Sequence, residues 1–172
     1  MTTDFEQHQS AITKLYSDVK SLSLATMFDE NSPLVSYTPF ASSNSYDKLW
    51  ILVSDLAVHS KNLKKYPTCS VLIMRDETES PQIYLRERVQ LEMTSSMIER
   101  SSAEWRTGCD ALRERHGDLL NTLEQLTDFH LFTLRPTAGR YVVGFGKAFE
   151  LVANSLNTID FHLQGPTGPQ KD

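Results

Sequence analysis

From Leu22 to Asp76 the chain alternates short apolar runs with polar breaks, and this pattern constrains the fold more than any other stretch. Leu22, Leu24 and Thr26 alternate with Ser21, Ser23 and Ala25, the period of a strand with one buried face. Asp29-Glu30-Asn31-Ser32 is a turn by composition and leads into a second strand, Leu34 to Phe40. The polar segment Ser42 to Asp47 then precedes a third, Trp50-Ile51-Leu52-Val53. Three consecutive strands on short connections predict an antiparallel meander, because parallel neighbours need long crossovers. A polar elbow, His59-Ser60-Lys61-Asn62, opens a short helix at Leu63, and the strand Ser70-Val71-Leu72-Ile73-Met74 follows.

The remainder fills in around this frame. Residues 1–20 read as an N-terminal helix, with Phe5, His8, Ile12, Leu15 and Val19 on one stripe. Arg75 to Pro81 is a charged loop, and Arg88 to Met93 alternates as a fifth strand. A helical insertion occupies residues 97–126, with Trp105, Cys109, Leu112, His116 and Leu119 on one face and a break at Gly117. Phe129 to Leu134 and Arg140 to Leu151 close the sheet, joined by a loop containing Pro136 and Gly139. Residues 164–172, rich in Gly and Pro, are expected to form a flexible tail. The 172 residues make one domain of six or seven strands with helices at one side, an α+β barrel rather than a doubly wound fold.

Composition excludes several functions. A formal charge of −5 does not suit non-specific nucleic-acid binding, which needs a basic surface. No apolar run reaches the length of a membrane span, and Met1 to Ser10 is too polar for a secretory signal. Cys69 and Cys109 have no paired-ligand spacing, so two free thiols in a reducing cytoplasm are expected. No Gly-rich phosphate loop, zinc-ligand spacing, nucleophile elbow or paired-carboxylate motif is present. His8, His116 and His130 are scattered, and His130, between Phe129 and Leu131, is expected to face solvent.

Chemistry is therefore sought in a pocket. His59, Ser60, Lys61 and Asn62 offer backbone N–H groups at a helix start, a hydroxyl and a cation, a set that favours a phosphate or carboxylate. The same residues also suit an ordinary N-cap with solvated charges. Arg88, flanked by apolar residues, is either aimed at an anionic ligand or paired with a nearby Glu. Asp128 suits a helix-to-strand turn, and Tyr37 suits a cross-strand aromatic pair.

Five ordered segments carry a family likeness: Leu24-Ala25-Thr26, Val35 to Phe40, His59 to Leu63, Asp128 to Phe132, and Gly144-Phe145-Gly146-Lys147-Ala148. Together they resemble the pyridoxamine 5′-phosphate oxidase-like split barrels, most closely the haem-utilisation (HugZ/HutZ-type) branch, from about Thr13 to Gly165. The resemblance implies an antiparallel split β-barrel that pairs as a homodimer and holds haem or FMN in interface clefts. It implies that Ser36 and Tyr37 line the cleft, that the His59–Asn62 turn meets an anionic end, and that Arg88 is a propionate or phosphate partner. It implies further that Asp128 accepts a hydrogen bond from an axial His of the other subunit. Haem-binding relatives place that ligand in a Gly-His near the C-terminus; here Gly165 is followed by Pro166, which cannot ligate iron. His162 is the remaining candidate iron ligand in that segment. Flavin-using relatives begin the second strand with an Arg, whereas this chain has Ser32-Pro33-Leu34-Val35.

Overall fold

A computed structural model describes residues 4–163. The expected tail over 164–172, with Pro166, lies outside the described residues. Helix α1 (Asp4–Asp18) leads into strands β1 (Ser21–Met27), β2 (Pro33–Pro39), the two-residue β3 (Ala41–Ser42) and β4 (Leu49–Ser54). Helix α2 (Val58–Lys65), β5 (Thr68–Met74), two 3-10 turns, and β6 (Arg88–Met97) follow. The insertion supplies α3 (Ala103–His116) and α4 (Leu119–Leu123), after which come β7 (Phe129–Gly144), β8 (Lys147–Leu151) and β9 (Ile159–Leu163).

The strands form one curled antiparallel sheet in the order β2-β1-β5-β6-β7-β4-β3, with β8 on β7 and β9 on β8. The fold is α+β, a half-barrel with flanking helices. Its interior is built by the alternation read in the sequence: Leu22 and Leu24, Val71 and Ile73, Val89 and Leu91, Ile51 and Val53 all bury their side chains. Ile12 and Leu15 of α1 seal one side. Trp105, Cys109 and Leu112 of α3 form a second apolar cluster with Trp50 and Leu131 on the outer face.

Three expectations about the chain path are corrected. β4 does not continue the β1–β2 hairpin as a meander; it pairs with β7, Leu49 opposite Leu134 through Ser54 opposite Phe129. The expected loop around Pro136 and Gly139 is the middle of the 16-residue strand β7. A bulge accommodates it: Glu92 faces Ala138 while Met93 faces Pro136, leaving Thr137 as the extra residue. The Thr137 hydroxyl donates to the Glu92 carbonyl at 3.1 Å, satisfying the acceptor beside the bulge. Gly139 is needed there, because a Cβ would stand 2.8 Å from Leu91 Cδ2 and 3.0 Å from Leu151 Cδ1. Third, the helical phase resets at Gly117 (φ +88°), so Leu119 is exposed and Leu120 is buried in its place.

Candidate functional site

The elbow residues lie within α2 rather than ahead of it, and their side chains are committed to the fold. His59 Nδ1 meets Ser36 Oγ of β2 at 2.9 Å, and Ser36 Oγ in turn donates to the Leu24 carbonyl at 3.2 Å. Asn62 Nδ2 donates to Thr26 Oγ1 of β1 at 2.9 Å. Ser60 is fully buried and its hydroxyl donates to Asp55 Oδ1 at 3.2 Å. Burial lowers the His59 pKa below the ordinary value of 6.5, so the ring is neutral near pH 7. These bonds pin α2 across β1 and β2. Of the four, only Lys61 points outward, and it has no ion-pair or hydrogen-bond partner among the described residues.

A second group, 75 residues apart in the chain, converges at the same end of the barrel. His130 Nε2 lies 2.9 Å from Asp55 Oδ2, and Lys64 of α2 bonds the other oxygen of that carboxylate. Asp55 N donates to the Asp128 carbonyl at 2.8 Å, and Ser54 Oγ donates to Asp128 Oδ2 at 2.6 Å. The hydrogen bonds from Lys64 and His130 hold the Asp55 pKa down to about 2. His130 therefore does not simply face solvent, as its neighbours in sequence suggest. It follows the inward register of Phe132, opposite Val53, and three quarters of its side chain is covered. Around this rim Leu56 and Val58 are exposed at 91% and 45%, an apolar surface that nothing in the described chain covers.

The remaining candidates sit elsewhere. Arg88 begins β6 opposite Met74, the far end of β5 from α2, and its Nη1 donates to the Arg86 carbonyl at 2.9 Å. With β5 seven residues long, Arg88 is roughly 20 Å from the α2 end. His162, on β9, bonds the Gly146 carbonyl at 2.9 Å and leans on the Phe149 ring at 4.9 Å. That is the opposite end of β7 from Asp128 within one chain. Tyr37 stands 68% exposed on β2, pointing away from the Ser36–His59 contact. Among the described residues no cluster of three His, Cys, Asp or Glu side chains is arranged to hold a bare metal ion.

The sheet also presents a shallow trough of about 440 Å³ on its outer face, lined by Ser23, Ala25, Ser70, Leu72 and Ala138 with Val35 at one margin. Small residues at strand positions leave room for a surface to seat closely against the backbone.

The pyridoxamine 5′-phosphate oxidase family model matches residues 9–143. The chain belongs to the pyridoxamine 5′-phosphate oxidase-like split-barrel family. Within the family it is a homologue of HutZ-type proteins: it is 36% identical over 154 residues to heme oxygenase HutZ of Vibrio cholerae, covering 89% of this chain and 85% of that one. The crystal structure of HutZ, described as a heme storage protein, superposes with a TM-score of 0.70 at 35% identity, over 75% of this chain and 89% of that one. Campylobacter jejuni ChuZ superposes with a TM-score of 0.82 at 23% identity, over 99% of this chain and 68% of that one. The last likeness speaks for the split-barrel fold alone.

Sequence reasoning missed Asp55, His130, Ser54 and Lys64 as a group. The only available signal was that three of them fall beside segments already singled out, the α2 residues and Asp128. Pairing β4 with β7 is what brings them together, and that pairing is non-local.

Proposed function

We propose that this chain binds haem as a homodimer, in a cleft at the α2–β4–β7 end of the barrel that a second copy completes. The observation that carries the reading is the rim itself. Exposed apolar Leu56 and Val58 stand beside the unpaired cation Lys61 and beside Asp128, whose Oδ1 has no donor among the described residues. A planar apolar macrocycle with acidic arms needs that combination: apolar contact for its face, a cation for a propionate, and a carboxylate acceptor near the metal. The residues present therefore fit haem. The similarity to HutZ over 89% of the chain supports the same reading.

In this reading Leu56 and Val58 would exclude water from a bound haem, Lys61 would hold a propionate, and Asp128 would accept a hydrogen bond from a group at the haem site. Haem, when bound, supplies iron–oxygen chemistry, and oxidative breakdown of the macrocycle is the reaction this arrangement would serve. Homodimerisation is supported by the outer trough and by exposed Val35 and Tyr37 on the edge strand β2. Neither nucleic acid nor membrane insertion enters the reading. Among the described residues no helix is long and apolar enough to cross a membrane. Cys69 and Cys109 are free and buried, and burial raises both thiols to about 12, consistent with a reducing, cytoplasmic setting.

FMN is the alternative ligand the family suggests. The start of β2 offers Pro33 where a phosphate-binding cation would be needed, and Arg88 is remote from α2, so haem is the better-supported ligand. Titration of the purified chain with haemin tests the choice. A Soret band distinct from free haemin, saturating near one per subunit, is expected; an unchanged free-haemin spectrum together with retained FMN would reverse the assignment. Sedimentation as a monomer at micromolar concentration would remove the interfacial cleft.

A further inference from the structure

We propose that His130 ligates the haem iron and that Asp55 orients its imidazole and raises its basicity; this rests on the haem reading above. Among the described histidines, His130 alone lies at the haem rim with one ring nitrogen on a carboxylate and the other without a hydrogen-bond partner. Its Nε2 contacts Asp55 Oδ2 at 2.9 Å, which fixes the ring plane and leaves Nδ1 as the nitrogen with a lone pair to offer. Asp55 is itself held by Lys64 and Ser60, so the imidazole is braced from α2 as well as from β4. A quarter of the His130 side chain remains exposed, enough for access from the rim. The strand places it two residues after Asp128 and opposite Val53, beside exposed Leu56 and Val58.

The other histidines are committed elsewhere. His59 is 9% exposed and bound to Ser36. His116 bonds the Phe40 carbonyl under α3 at 2.8 Å. His8 and His162 both pack on Phe149, at 4.5 and 4.9 Å, at the other end of β7. Pro166 follows Gly165 where a ligating His would be expected, and His162 is engaged with Gly146 and Phe149, so the iron donor is assigned to the internal imidazole at the rim.

The test uses the full chain reconstituted with haemin, read by ferric electron paramagnetic resonance and by the ferrous iron–imidazole stretch in resonance Raman. Wild type should show an imidazole-ligated iron. His130→Gln should lose that signature and weaken haemin binding by at least about 10-fold, while His130→Gly should regain it with added imidazole. Asp55→Asn keeps the ring and should lower the iron–imidazole frequency, with affinity reduced about 10–100-fold. That variant serves if changes at position 130 prevent folding. Persistence of the signature in His130→Gln, its loss in His162→Gln, or an unshifted frequency in Asp55→Asn would each overturn the assignment of His130 alone. A wild-type spectrum identical to free haemin would instead overturn the haem reading, and this one with it.

Discussion

The two ends of β7 carry charged networks of similar composition and opposite character. At the far end, Arg75 donates to Asp18 Oδ2 at 2.5 Å and twice to Glu87 Oε2, at 3.0 and 2.8 Å, while the buried Tyr141 hydroxyl donates to Glu87 Oε1 at 2.7 Å. Every strong group there has a partner, and together they fasten α1, β5 and β7. At the rim, Asp55 gathers His130, Lys64 and Ser60, yet a ring nitrogen, a carboxylate oxygen and the Lys61 ammonium stay uncommitted. Satisfaction, rather than charge, separates the fully paired network from the one that keeps groups free to meet a ligand. Burial at the closed end pushes the Tyr141 hydroxyl far above its ordinary value of 10, so it remains a donor throughout the working pH range.

If the contrast is right, perturbing the closed end should cost stability and leave the ligand site alone. Arg75→Ala, which abandons the largely buried Glu87, is expected to destabilise the fold by about 3 kcal/mol, with the haemin-binding spectrum unchanged. Chemical denaturation read alongside haemin titration checks this, and a loss of binding without a loss of stability would break the comparison. A packing change gives the next effect. A Cβ at Gly108 would stand 2.8 Å from Leu131 Cδ2 and 3.0 Å from Trp50 Cδ1, so Gly108→Ala should cost about 1–2 kcal/mol as α3 is pushed off the sheet.

Acidification should act in two windows. Buried His59 and half-buried His116 have folded pKa values lowered below the unfolded 6.5 by burial, so the unfolded chain binds protons first and stability falls as pH drops below about 6.5. Asp55 and Asp47 are held to about 2, Asp47 by Ser45 and Ser43 hydroxyls against a burial effect that pushes the other way. Their contributions are complete above the unfolded value near 4 and vanish as pH falls through about 2. Denaturation midpoints from pH 8 to pH 2 should show both declines, and Asp47→Asn should flatten only the lower one. The smallest effect belongs to Lys61→Ala: stability within about 0.5 kcal/mol of wild type, and haemin binding weakened roughly threefold. Equal binding by that variant would remove Lys61 from the site.

Local alternation made much of this barrel readable. β1, β5 and β6 each show period two, and their buried positions are the ones the pattern selects. Where the reading failed, the deciding force was non-local. Pro136 and Gly139 look like loop residues until the bulge at Thr137 and the close approach of Leu91 and Leu151 give them places in a strand. His59 and Asn62 look like a solvated turn because Ser36 and Thr26, which bury them, lie 23 and 36 residues earlier. Asp55 and His130 offered no spacing to recognise, and only the β4–β7 pairing unites them. Asp128, by contrast, enters through the family resemblance, and the structure places its carboxylate beside Ser54 at the same end of the barrel as Asp55 and His130.

Along its length β7 keeps β6 on one flank but exchanges its other neighbour, β4 for the first residues and β8 for the last. The opening between β4 and β8 on that flank is therefore bridged by β7, with β6 paired to it from Phe132 to Val142. Neither end can peel away independently without bending that shared spine. Amide protons at Phe132 and Tyr141, on opposite sides of the opening, should accordingly exchange with solvent at one common, slow rate set by global unfolding.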